Sequence, residues 1–155
     1  MIQKKDFSKF YLAGIFLLII IISLIVAVIY EKNEKENNRI IKLNLDTKVE
    51  KTLNWKFSTK NNFIDVKIGQ IYKIDFNVEN YSSSETSGKA IYEVKPDFLK
   101  KYFVEIDCFC YKKQTLLPSE KSTYSITFYI DPKILSDLKP KDIKDINIYY
   151  TFLNT

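Results

Sequence analysis

The stretch from Phe10 to Tyr30, FYLAGIFLLIIIISLIVAVIY, carries no charged residue. As an α-helix, about 21 residues rising ~1.5 Å each span ~32 Å, which matches the hydrocarbon core of a bilayer. Tyr11 and Tyr30 stand at its ends, where amphipathic rings favour the membrane interface. The run is longer than the apolar core of a cleaved signal peptide, and no A-x-A-like site follows it. An uncleaved anchor is therefore expected at residues 10–30, after a short tail at 1–9. Lys4, Lys5 and Lys9 precede the span with only Asp6 opposing them, whereas Lys32, Lys35, Arg39 and Lys42 follow it among Glu31, Glu34 and Glu36. Flanking charge thus leaves the positive-inside count balanced. A small tail and a large C-terminal part favour tail inside and domain outside. The polar segment EKNEKENNR, 31–39, lacks apolar periodicity and reads as a solvated linker or a frayed continuation of the helix.

From Ile40 to the end the pattern changes to period two, the mark of half-buried strands. Ile41, Leu43 and Leu45 alternate with polar neighbours; so do Trp55 and Phe57, then Ile64, Val66 and Ile68, then Ile74, Phe76 and Val78. AIYEV, YFVEI, YSITFYI and INIYYTF follow, separated by polar or proline-containing turns. About eight short strands at this spacing predict one all-β domain over 40–155, an antiparallel sandwich of immunoglobulin-like type. PDFLKKYF (96–103) and DPKILSDL (131–138) each open on or near proline and are expected to form single helical turns. The many aromatic side chains read as core and sheet packing. NYS at 80–82 fits a glycosylation acceptor, a tripeptide that arises easily by chance.

What the chain lacks narrows its chemistry. It has no histidine, which removes imidazole bases, serine triads and imidazole metal sites. Three glycines, Gly14, Gly69 and Gly88, are too scattered for a phosphate-cradling loop. The net charge of +5 comes from lysines spread among 19 acidic residues, with Arg39 the single arginine, so a nucleic-acid partner is not expected.

Cys108 and Cys110 are the only cysteines. In a regular strand, residues i and i+2 project from one face with Cα atoms ~6.6 Å apart, near the upper limit for a disulfide. A turn or bulge would bring the sulfurs closer, but closing so short a loop restricts the unfolded chain little, which makes a structural cross-link the least attractive use. Two converging thiolates suit a soft ion such as Cu(I). Zinc usually takes four ligands, so a zinc site here would need carboxylates or a second subunit. Lys112 and Lys113 favour thiolate while Glu105 and Asp107 oppose it. Soft-metal binding, thiol–disulfide exchange and unremarkable core cysteines all remain open on chemistry alone.

The longer string CFCYKKQTLLPSE, 108–120, resembles the signature of the cytochrome c oxidase assembly proteins of the CtaG type, through Cys108, Phe109, Cys110, Tyr111, Gln114, Leu116, Pro118 and Glu120. GKAIYEVKP (88–96), Tyr102–Phe103, FYIDP (128–132) and INIYYTF (146–152) are similar to flanking stretches of that family, as are WKF (55–57) and VKIG (66–69). The resemblance implies an immunoglobulin-like domain on a single inner-membrane anchor, facing the periplasm or the mitochondrial intermembrane space. It implies Cu(I) held by Cys108 and Cys110, with dimers holding copper at their interface. Copper would pass from a donor protein to the CuB centre of cytochrome c oxidase subunit I, without enzymatic catalysis. An alternative is a thiol–disulfide oxidoreductase that keeps the copper-site cysteines of the oxidase reduced. Phe109 and Tyr111 would shield the copper or touch the partner, if they are not ordinary packing, and Gln114, Pro118 and Glu120 would shape the turn that follows. Two departures stand out. The family's usual cysteine after the span has no counterpart in YEKNEKENNR, and a basic residue common three positions before the first cysteine is Glu105 here.

Overall fold

A computed structural model describes residues 6–37, 39–139, 143 and 145–155. The chain divides into two compact units, Met1–Asn38 and Arg39–Thr155. In the first, helix α1 runs from Asp6 to Asn37. It extends past both ends of the expected 10–30 span because no proline interrupts the flanking polar residues, so 31–37, read from sequence as a linker or a frayed continuation of the helix, is helical. Of the expected tail, residues 1–5 lie outside the described residues. Phe10–Glu34 is long and apolar enough to cross a membrane, with mean hydropathy 3.3 and none of it buried by the protein itself. A helix apolar all round has no face that prefers water, which suits lipid.

The second unit is a two-sheet sandwich. One sheet holds five strands, in the order β3 (Phe63–Lys67), β1 (Ile40–Val49), β9 (Ile146–Asn154), β5 (Thr86–Lys95) and β7 (Lys113–Leu116). The other holds β2 (Trp55–Thr59), β4 (Tyr72–Asn80), β8 (Lys121–Ile130) and β6 (Phe103–Cys108). The alternation seen in the sequence is the alternation of burial. Ile41, Leu43 and Leu45 of β1, Ile74, Phe76 and Val78 of β4, and Ile146, Ile148, Tyr150 and Phe152 of β9 all face the gap between the sheets. Both expected helical turns form, as a 3₁₀ turn at Asp97–Tyr102 and α2 at Ile134–Asp137. The Tyr102 hydroxyl, 3.0 Å from Asp137 Oδ2, ties them together.

Two features of the sandwich go beyond what the sequence predicts. Strand β7 is a ninth strand, hidden in the sequence because its four residues bury only Leu116. It closes the edge of the larger sheet by pairing with β5. And β1 runs parallel to β9, the one parallel pair among the described residues, so the first and last strands of the sandwich lie side by side and point the same way.

Gly88 marks a tight crossing of β5. A Cβ there would lie 2.7 Å from Leu53 Cδ2 and 3.2 Å from both the Leu153 carbonyl oxygen and Phe152 Cδ1. The Leu53 side chain is itself buried, so it has little room to yield. Gly88→Ala is expected to destabilise the domain by about 1–3 kcal/mol through overpacking, read as a lower denaturant midpoint with an unchanged slope.

Candidate functional site

Strand β6 is an edge strand, and it does not keep step with its neighbour β8. Glu105 pairs with Phe128, but Asp107 pairs with Thr127 and Cys108 with Ile126, so one residue is extra between Glu105 and Asp107. Phe128 and Ile126 both point into the core. The bulge therefore puts Glu105 and Cys108 on the inward side although they are three residues apart; in a regular strand they would face opposite ways. The strand ends at Cys108, and the chain turns through Phe109, Cys110 and Tyr111 into β7.

Phe109 anchors that turn. It is 7 % exposed and lies between the sheets, its ring centroid 5.3 Å from Tyr124, 5.7 Å from Phe76, 5.9 Å from Phe152, 6.3 Å from Phe57 and 6.4 Å from Tyr150. These five rings come from β2, β4, β8 and β9, so Phe109 is a core residue and shields the site only from beneath. Tyr111 takes the left-handed conformation, φ 64°, and its N–H donates to the Ala90 carbonyl of β5 at 2.8 Å. Its ring is 53 % exposed.

The turn brings the Cα atoms of Cys108 and Cys110 to 5.1 Å, and their sulfurs are joined in a disulfide. The bridge, disfavoured on strand geometry, is closed because these residues span the end of a strand and a turn, which shortens the separation into the usual disulfide range. Cys110 is 4 % exposed and Cys108 half-buried, so the pair is largely covered by the domain. The Cys110 N–H also points at Cys108 Sγ, at 3.1 Å.

Glu105 joins them. A carboxylate oxygen of Glu105 and the two sulfurs all lie within 4.8 Å of one another, the one such trio of potential metal donors found among the described residues. Oxygen Oε1 of Glu105 is buried without a hydrogen-bond partner, as is the hydroxyl of Tyr150. Burial pushes the Glu105 carboxyl above its ordinary pKa, while hydrogen bonding by the Tyr92 hydroxyl and the charge of Lys100 oppose the shift. Burial and then Glu105 raise Tyr92; burial and then the same carboxylate raise Tyr150. The seam between β6 and the β5–β9 pair thus holds two sulfurs, a carboxylate, the half-buried phenol of Tyr92 and the buried one of Tyr150.

The residues after the cysteines act on the backbone. Glu120 Oε2 accepts the Leu117 N–H at 2.7 Å, across the turn that contains Pro118 and Ser119, and Ser119 is left-handed at φ 62°. Gln114 sits in β7 opposite Gly88. Lys112 and Lys113 are exposed. Asn80 went unrecognised as a structural residue. It is fully buried, and its Nδ2 lies 3.0 Å from the carbonyls of Ser84 and Leu116 and 3.1 Å from that of Leu117. Its Oδ1 accepts from the Ser82 N–H and hydroxyl. An amide so enclosed is no glycan acceptor in the folded domain; it fastens the loop after β4 to the turn after β7.

The chain matches the family model described as "Cytochrome c oxidase assembly protein CtaG/Cox11" over residues 24–154. It is 34% identical to a cytochrome c oxidase assembly protein CtaG of Nitrobacter hamburgensis over 114 residues, 74% of this chain and 53% of that protein. To the protein of the same name from Ehrlichia ruminantium it is 38% identical over 112 residues, 72% of this chain and 63% of that one. To that of Reclinomonas americana it is 37% identical over 123 residues, 79% and 68% respectively. The matched part thus spans 53% to 68% of these relatives' lengths.

Proposed function

This chain belongs to the cytochrome c oxidase assembly protein CtaG/Cox11 family, and from that premise we propose that it is a membrane-tethered carrier delivering Cu(I) to the CuB centre of cytochrome c oxidase subunit I. The observation that carries the reading is the convergence of Cys108 and Cys110 on an anchored turn, in a chain without histidine. Copper is the cargo. A soft monovalent ion is satisfied by two thiolates, where harder ions want more donors.

The joined sulfurs correspond to the oxidised form of the pair. An external dithiol supplies two electrons, the S–S bond breaks, and the sulfurs take up two protons while the reductant closes its own disulfide. Cu(I) from a donor protein then displaces both protons and is held between Cys108 and Cys110. Release is ligand exchange: an incoming oxidase ligand displaces one thiolate, then a second displaces the other. No substrate bond is made or broken, so the chain is a carrier and no enzyme. Two copies pooling four sulfurs give a copper-linked homodimer. Helix α1 holds the domain at the inner membrane with the N-terminus cytoplasmic and the domain periplasmic, or in the equivalent intermembrane space, which raises its effective concentration near the oxidase.

The test is an anaerobic Cu(I) titration of the reduced full chain in detergent, against a competing chelator, beside Cys108→Ser/Cys110→Ser. Tight binding is expected in the wild type and none in the variant, with a mass shift to the dimer on loading. The joined sulfurs also suit a thiol–disulfide oxidoreductase acting on the oxidase's copper-site cysteines. That reading requires rapid exchange with a peptide disulfide, and equally weak Cu(I) binding in both proteins would favour it over copper carriage.

A further inference from the structure

Two thiolates complete a Cu(I) site, yet the seam beside them holds more than two donors. The Glu105 carboxylate lies within 4.8 Å of both sulfurs, and its Oε1 is buried with nothing to bond. It faces inward by plain alternation from buried Phe103, and the bulge that follows brings Cys108 round to the same side. The Tyr150 hydroxyl, close enough to sense that carboxylate's charge, is the second buried polar atom left without a partner. A buried acceptor without a donor is costly, and an ion bound to the carboxylate would satisfy Glu105 Oε1.

We propose that, once reduced, Cys108, Cys110 and Glu105 also form a three-donor site for a borderline divalent cation, zinc foremost, and that Glu105 decides between that cation and Cu(I). Two sulfurs and one oxygen are a donor set zinc accepts, with water in the fourth position. The site forms by the same reduction: a dithiol opens the bridge with two electrons and two protons, and the entering cation expels both thiol protons. Charge sets the selectivity. Two thiolates and a carboxylate carry three negative charges; a divalent ion offsets two of them, a monovalent ion only one. Lys100, whose charge reaches Glu105, offsets part of the remainder. Tyr92, Tyr111 and Tyr150, the phenols around Glu105, stay neutral, their hydroxyls held protonated by burial and by Glu105. Glu105 therefore aids zinc and, for a two-sulfur Cu(I) site, adds only repulsion.

This rests on the copper reading for the use of the pair, but its test is separate. The reduced full chain in detergent is titrated anaerobically with Zn2+ against a chelating dye, with Co2+ as a spectroscopic stand-in whose thiolate charge-transfer bands report sulfur ligation, and separately with Cu(I). Glu105→Gln keeps size and removes charge; Glu105→Asp keeps charge and shortens the reach. Expected are a loss of zinc affinity of about 10–100-fold in Glu105→Gln, a smaller loss in Glu105→Asp, and Cu(I) affinity equal or higher in Glu105→Gln. Zinc affinity unchanged in Glu105→Gln, or no zinc binding by the wild type, overturns the proposal. Parallel losses of zinc and Cu(I) also overturn it, showing Glu105 to be merely structural. Zinc binding that depends on Glu105, in a wild type that does not bind Cu(I), strikes the copper reading and leaves the zinc site standing.

Discussion

Phe109→Ala is expected to lower the unfolding free energy of the domain by about 3–5 kcal/mol, although the residue sits between two cysteines of a candidate metal motif. Its ring touches aromatic side chains from both sheets, and truncation leaves a cavity that β-sheet backbones cannot collapse to fill. Against a total stability of about 5–15 kcal/mol for a domain of this kind, that is a large fraction. Trp55 is the single tryptophan, buried 5.1 Å from Phe152, and its fluorescence reports the unfolding directly. Cu(I) affinity should fall with stability, because the ring is what fixes the turn presenting both sulfurs. Tyr111→Ala provides the contrast: an exposed ring leaves, the left-handed backbone is as strained for alanine as for tyrosine, and stability should move by less than about 1 kcal/mol. Equal effects of the two substitutions would refute the role given to Phe109.

Asn80→Ala is expected to cost about 2–4 kcal/mol, most of it from acceptors left unpaired. The Leu116 carbonyl is at a fully covered residue and would have no water to replace Nδ2, and the Ser82 hydroxyl and N–H lose their acceptor. Asn80→Asp separates this account from simple loss of volume. It keeps the acceptor oxygen but sets a carboxylate against three carbonyl oxygens, so at neutral pH it should be at least as damaging. Its cost should shrink in acid as the group protonates and regains a donor. Chemical denaturation of both variants at neutral and acid pH decides; an Asn80→Asp protein as stable as wild type at neutral pH would contradict the network.

The strands were legible because each buries alternate residues: Ile74, Phe76 and Val78 declare their face by spacing alone, and so do Ile148, Tyr150 and Phe152. Strand β7 was not, since a four-residue edge strand with one buried side chain has no period to read. The cysteines announced themselves by number and by their motif. Their burial did not, because it depends on where Phe109 points, and aromatic residues in a motif look alike whether they face a core or a partner. Glu105 was readable only as a charge near the thiols; that Cys108 shares its face depends on the bulge between them, which leaves no local mark in composition. Asn80 was visible only as a sequon, because two of its partners lie 36 and 37 residues further along the chain.

The extra residue in β6 also gives the strand a parity. Side chains of a regular strand share a face at even separations, and Glu105 and Cys108 share one at an odd separation only because the count is broken between them. Anyone aligning sequences of this kind by residue type would treat a gap at Ile106 as trivial. Geometrically it is a sign change: every position on one side of it trades inside for outside relative to the other. The distance along the chain from Glu105 to the cysteines is thus as much a part of the site as the three residues themselves.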